Sequence, residues 1–91
     1  MRPLPGKAAA LITGARSCID ATRREDGCVS YDYLQDTENP DTVLVVERWH
    51  TRESLAAHMQ APHLADWRKA RQPMVKATKV EIIHAEQVEV I

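Results

Sequence analysis

Asp26-Gly27-Cys28, Tyr31-Asp32-Tyr33, Val43-Leu44-Val45-Val46-Glu47-Arg48-Trp49 and Ala57-His58-Met59-Gln60-Ala61-Pro62-His63 follow one another between residues 26 and 63. Cys28 to Gln35 alternates, with Val29, Tyr31 and Tyr33 on one strand face and Ser30, Asp32 and Leu34 on the other. Asp36-Thr37-Glu38-Asn39-Pro40-Asp41 is a polar turn with a proline breaker. Thr42 to Trp49 is a Val-rich strand, and the short turn makes the two runs a hairpin. Thr51 then suits a helix N-cap, and Glu53 places a negative charge in the first turn, where the helix dipole favours it. This helix extends to about Met59. A tryptophan that closes a strand and a histidine two turns later are near enough to share one pocket.

Working outward, residues 7–24 read as one helix. Ala8, Leu11, Ile12, Ala15, Cys18 and Ile19 recur at three- and four-residue steps and form an apolar stripe. Gly14 within it costs about 1 kcal/mol relative to Ala, a cost that a close approach to the sheet would explain. Gly27 is a plausible stop. After His58, Pro62 opens a second short helix carrying Leu64 and Trp67, and Pro73 ends it. Lys79 to His84 alternates weakly as a last strand, and Val88 to Ile91 reads as a further extended piece. A helix with an apolar stripe needs a sheet to cover. The fold class is therefore α+β, a βαββαβ order whose first strand is cut short to Met1–Leu4 and interrupted by Pro3.

Residues 1–91 are read as a single domain. A chain of this length buries only about 60–65 % of its unfolded surface, so an independent core is marginal and oligomerisation is a common remedy. The formal net charge of −1 and the scattered lysines and arginines argue against nucleic acid. Arg23-Arg24 and Arg68-Lys69 with Arg71 read as solvated helix faces. No apolar run is long enough for a membrane span, and the first residues carry no signal-peptide core. Cys18 and Cys28 lack metal or redox spacing and read as buried, reduced thiols, which suits a cytoplasmic protein.

The ordered set Gly27-Cys28, Tyr31-Asp32-Tyr33, Glu47-Arg48-Trp49 and His58 through Pro62-His63 resembles the antibiotic biosynthesis monooxygenase (ABM) family over roughly Pro5 to Ile83. That family includes cofactor-free quinol monooxygenases. The resemblance implies a ferredoxin-like fold and a homodimer whose two sheets form an α/β barrel, with a pocket in each subunit between sheet and helices. It implies a small aromatic substrate and O₂ as partners, and no cofactor. The family's first strand lies in the middle of the sheet and often carries a pocket asparagine, for which this sequence has no counterpart. Losing that strand would leave backbone groups of two neighbours unpaired. Either the native chain starts upstream of Met1, or Met1–Leu4 and the Val88–Ile91 tail fill part of the gap.

Several side chains carry two readings. Trp49 is a core residue sealing the helix–sheet interface, or an aromatic wall for a flat substrate; the resemblance matches it to the family's pocket tryptophan. His58 is a structural histidine, or an acid–base group able to take a phenolic proton near neutral pH. Tyr31 and Tyr33 are cross-strand packing partners or hydrogen-bond donors to a quinone or phenol oxygen. Glu47, between Val45 and Trp49 on a buried face, needs a partner, and an ion pair with a helix arginine is the simplest. Met59 and Trp67 pack the helices or line the pocket, as does Leu64. His63 follows His58 by five residues, a poor spacing for a helical metal pair, so no metal site is expected; it joins the candidate substrate contacts. Gly6, Gly14 and Gly27 make no dinucleotide fingerprint.

The leading expectation is a monooxygenase acting on a quinol or polyketide-type phenol, with His58 as base and Trp49 in the catalytic pocket. A non-catalytic small-molecule-binding module of the same fold is the alternative, and an isomerase or haem-degrading relative is a third. The missing asparagine weakens the haem branch, and fold likeness alone decides none of them.

Overall fold

The computed structural model describes residues 1–82 and 87–91. Its elements are β1 (Arg2–Pro3), α1 (Ala8–Gly14), α2 (Arg16–Arg23), β2 (Cys28–Gln35), β3 (Val43–Trp49), α3 (Arg52–Met59), α4 (Pro62–Arg71), a 3₁₀ turn (Gln72–Met74) and β4 (Val75–Ala77). The order is that of the ferredoxin-like α+β fold expected from the sequence. No helix among the described residues is long and apolar enough to cross a membrane.

The strands form two separate two-stranded antiparallel sheets, β2–β3 and β1–β4. One residue pair joins them. The Met1 nitrogen donates to Val43 O at 2.6 Å, and the Val43 N–H donates to Met1 O at 2.9 Å. The first residues therefore lie between β3 and β4, the central place the resemblance gives them. They are too few to fill it. Beyond Val43, no strand among the described residues pairs with β3 on that side.

The residues 7–24 do not form one helix. The helix breaks at Ala15, with φ −74° and ψ −12°, directly after Gly14. The break leaves the stripe intact: Ala8, Leu11, Ala15, Cys18 and Ile19 are all buried. Gly14 serves α4 rather than the sheet, since a Cβ there would stand 3.2 Å from Cζ3 of the Trp67 ring. Arg23 is not simply solvated. Its Nε donates to Tyr31 O and its Nη2 to Asp32 Oδ1, each at 3.0 Å, which ties α2 to β2.

In the hairpin, Tyr31 faces Glu47 and Tyr33 faces Val45. Tyr31 and Val43 are fully buried under the helices. A bulge between Cys28 and Ser30 shifts the alternation, so Val29 is not on the Tyr31 face but 53 % exposed, and Cys28 packs against the core instead. Leu34, Leu44 and Val46 are exposed, a contiguous apolar strip on adjacent strands.

The helix starts match the capping chemistry. The Thr51 hydroxyl accepts the Ser54 N–H at 3.0 Å, and Pro62 opens α4. The last strand among the described residues forms earlier than the alternation suggested. Val75–Ala77 pairs with β1, residues 79–82 have no regular structure, and the rest of the expected strand, including His84, lies outside the described residues. The Val88–Ile91 tail has no regular structure either and fills no gap in the sheet.

Gly27 is a strict requirement of this arrangement. Its φ is +80°, and a Cβ would stand 2.1 Å from Ser54 Oγ and 2.6 Å from Ser54 Cβ. Gly27→Ala is therefore expected to destabilise by at least about 2 kcal/mol, from the left-handed backbone and the overlap together. Urea unfolding followed by circular dichroism measures it.

Candidate functional site

Four elements bring a polar cluster together under the helices. The turn after α2 supplies Glu25, the end of α3 supplies His58, the first turn of α4 supplies His63, and β3 supplies Glu47 and Trp49. The Glu25 carboxylate oxygen Oε2 lies 2.7 Å from His58 Nδ1 and 2.8 Å from His63 Nε2. On the other side of the His58 ring, Nε2 is 3.6 Å from Glu47 Oε1. That same Glu47 oxygen accepts the Trp49 indole N–H at 3.1 Å. Two imidazoles thus meet one carboxylate, and a second carboxylate backs the inner imidazole. Charge-assisted bonds of this length are the strong ones.

Aromatic rings enclose His58. The Trp49 ring lies 4.9 Å away, tilted by 32°, and the Tyr31 ring meets it edge-on at 5.4 Å. His58 is only 1 % exposed, while His63 is 27 % exposed. His63 also borders a mainly apolar cleft of about 240 Å³ between α1, α2 and α4, together with Gly14, Cys18 and Trp67. The Trp67 indole N–H donates to the Tyr33 hydroxyl at 2.8 Å, joining the cleft wall to the strand face. A second cleft, of about 150 Å³, lies at the far end of the sheet beside Arg2, Asp41 and Lys76 and touches none of these groups.

The candidates named from the sequence fall into two sets. His58, Trp49, Glu47, His63, Tyr31, Tyr33 and Trp67 are linked by the contacts above. Met59 is not; it is 38 % exposed, and its sulfur meets Arg68 Nη2 at 3.9 Å on the surface. Glu47 pairs with Trp49 and His58 rather than with a helix arginine. Glu25 escaped the sequence reading. It lies 33 positions from His58 and 38 from His63, and only its place beside the Asp26-Gly27 turn singles it out among the acidic residues.

Burial sets the ionisation of the neighbours. It pushes the Tyr31 hydroxyl far above the ordinary tyrosine range, and Tyr33 beside it pushes the same way. Burial raises Tyr33 as well, against hydrogen bonds with Tyr31 and Trp67. Burial also raises both thiols, with Glu25 adding to the effect at Cys28, so neither cysteine is a ready nucleophile. The thiols are free; Cys18 is buried and Cys28 half-buried.

The tyrosine shifts carry a stability consequence. Above about pH 10 the unfolded chain sheds its tyrosine protons while the folded chain keeps them, so the unfolded state binds fewer protons and stability falls as pH rises. The urea midpoint is expected to decline above about pH 10 and less steeply in Tyr31→Phe.

The model of the antibiotic biosynthesis monooxygenase family matches residues 1–70. The chain belongs to that family. An uncharacterised Synechocystis protein, sll1783, is 28 % identical over 79 residues, covering 86 % of this chain and 54 % of that protein. Rv0793 of Mycobacterium tuberculosis, whose name carries a provisional monooxygenase assignment, is 36 % identical over 66 residues, covering 72 % of this chain and 64 % of that protein. The chain thus spans between half and two thirds of the length of these curated relatives. A solved ABM-family structure from Nitrosomonas europaea superposes with a TM-score of 0.78 at 25 % identity, covering 85 % of this chain and 81 % of that one.

Proposed function

We propose that this ABM-family chain is a monooxygenase that oxidises an electron-rich phenol or quinol with O₂. The observation that carries the reading is the pair of histidines on Glu25, one enclosed and one bordering an apolar cleft. His58 has the right chemistry for a base but is 1 % exposed, so substrate contact passes to His63. His63 accepts the substrate hydroxyl proton. Glu25 orients both rings and, with His58 behind it, balances the positive charge that develops.

The phenolate formed in this way is a one-electron donor. It reduces O₂, the radical pair joins through a new carbon–oxygen bond, and loss of water leaves a carbonyl. One oxygen atom stays on carbon and the other leaves as water: a ring C–H carbon becomes C=O, the phenolic C–O becomes a second C=O, and the ring C–H and phenolic O–H hydrogens leave in that water, so all four electrons come from the substrate. The edge of Trp67 lines this mainly apolar, open cleft beside Cys18 and Ala70, which favours an apolar aromatic ligand next to His63. Trp49 acts one layer back, stacked on His58 and holding Glu47.

The active unit in this reading is a homodimer. The exposed strip of Leu34, Leu44 and Val46 supports pairing of two sheets, since apolar surface of this kind marks an interface. An oxygen electrode with a panel of phenols and quinols tests the function. The proposal expects uptake that depends on substrate and enzyme. Ligand-induced thermal protection without oxygen uptake would instead favour a binding module.

A further inference from the structure

We propose that Glu25, His58 and His63 bind one divalent transition-metal ion of the zinc class. Glu25 Oε2, His58 Nδ1 and His63 Nε2 all lie within 4.8 Å of one another. Two imidazole nitrogens and one carboxylate oxygen are a ligand set that zinc accepts, with bonds of about 2.0–2.2 Å. Tetrahedral bonds of that length separate ligand atoms by about 3.4 Å, so the 2.7 and 2.8 Å contacts to Glu25 need to open by roughly 0.6 Å while the two histidine nitrogens, within 4.8 Å of each other, settle at the same spacing.

The surroundings also fit. A ligating histidine is normally held through its second nitrogen by a carboxylate, which fixes the tautomer. His58 Nε2 faces Glu47 Oε1 at 3.6 Å, and Trp49 anchors that oxygen. The half-exposed His63 beside the cleft gives the ion a way in and leaves a coordination position for water or ligand. The five-residue interval between the histidines hides the site in sequence. The chain turns at Gln60–Ala61 between α3 and α4, so both rings reach Glu25 despite lying on separate helices.

A bound ion takes the same three atoms that carry the proposed acid–base chemistry. In that one respect the inference rests on the proposed function: an occupied site and turnover exclude each other.

The full chain, stripped with a chelator, is titrated with ZnCl₂ by calorimetry and with CoCl₂ by visible absorption. One ion per chain is expected. Glu47→Gln should weaken it about 10–100-fold, as loss of an outer-shell partner does, and Glu25→Gln and His63→Gln at least as much. His63→Gln should also abolish the cobalt band. No saturable binding, or binding unchanged in Glu25→Gln and His63→Gln, overturns the site and leaves the acid–base reading standing. Zinc binding that obeys the variants but leaves oxygen uptake untouched upholds the site and removes these residues from the reaction.

Discussion

His63→Gln should keep the fold and lower turnover of a phenol or quinol by about 10²–10⁴-fold, the usual contribution of a positioned general base. The glutamine amide nitrogen can occupy the place of His63 Nε2 and still donate to Glu25 Oε2, now 2.8 Å away. It cannot accept a proton. The loss should fall on kcat more than on KM, because the cleft wall formed by Trp67 and Cys18 is unchanged. His58→Asn is the companion variant. Its amide can replace the Nδ1 donor to Glu25, 2.7 Å away, but leaves Glu47 without the imidazole. A smaller loss than in His63→Gln is expected, since His58 acts through Glu25. The opposite ranking, with His63→Gln active and His58→Asn dead, returns the base role to His58.

The largest stability effect is expected at Trp67. The side chain is 4 % exposed, lies against Gly14, and donates to the Tyr33 hydroxyl at 2.8 Å. Trp67→Ala should cost about 3–5 kcal/mol through lost burial and the cavity left behind. The orphaned Tyr33 hydroxyl adds roughly 1 kcal/mol. At roughly 0.05–0.15 kcal/mol per residue, a chain of this size has a total stability of about 5–14 kcal/mol, so this one change removes a large part of it. Trp67→Phe keeps most of the ring and drops the hydrogen bond, so it should cost about 1–2 kcal/mol. Urea midpoints by tryptophan-independent circular dichroism separate the two variants. Equal midpoints for Ala and Phe would show that the indole does not fill a packed site.

The hairpin, the Thr51 cap and the two short helices followed from local chemistry: alternation, a hydroxyl before a helix, and proline at a first turn. The shared neighbourhood of Trp49 and His58 followed as well, because strand end and helix lie close in sequence. What stayed hidden was non-local or one residue wide. The bulge at Val29 reverses the alternation without a glycine or proline to announce it. The break at Ala15 preserves the apolar stripe, so periodicity could not expose it. β4 is short and paired to the chain's first residues, and pairing of that kind leaves little pattern in sequence. Glu25 belongs to the same class. Its partners arrive from two later helices, and only tertiary structure reveals that one carboxylate serves both.

The fate of the two atoms of molecular oxygen decides whether this chain is a monooxygenase. Turnover of an accepted phenol under ¹⁸O₂, followed by mass spectrometry of product and solvent, is the most direct measurement. One ¹⁸O atom should enter the product and the other the water, with labelled product formed about 10²–10⁴-fold more slowly by His63→Gln than by the wild-type chain. Product without ¹⁸O, or labelled product formed at equal rates by the two proteins, would contradict it.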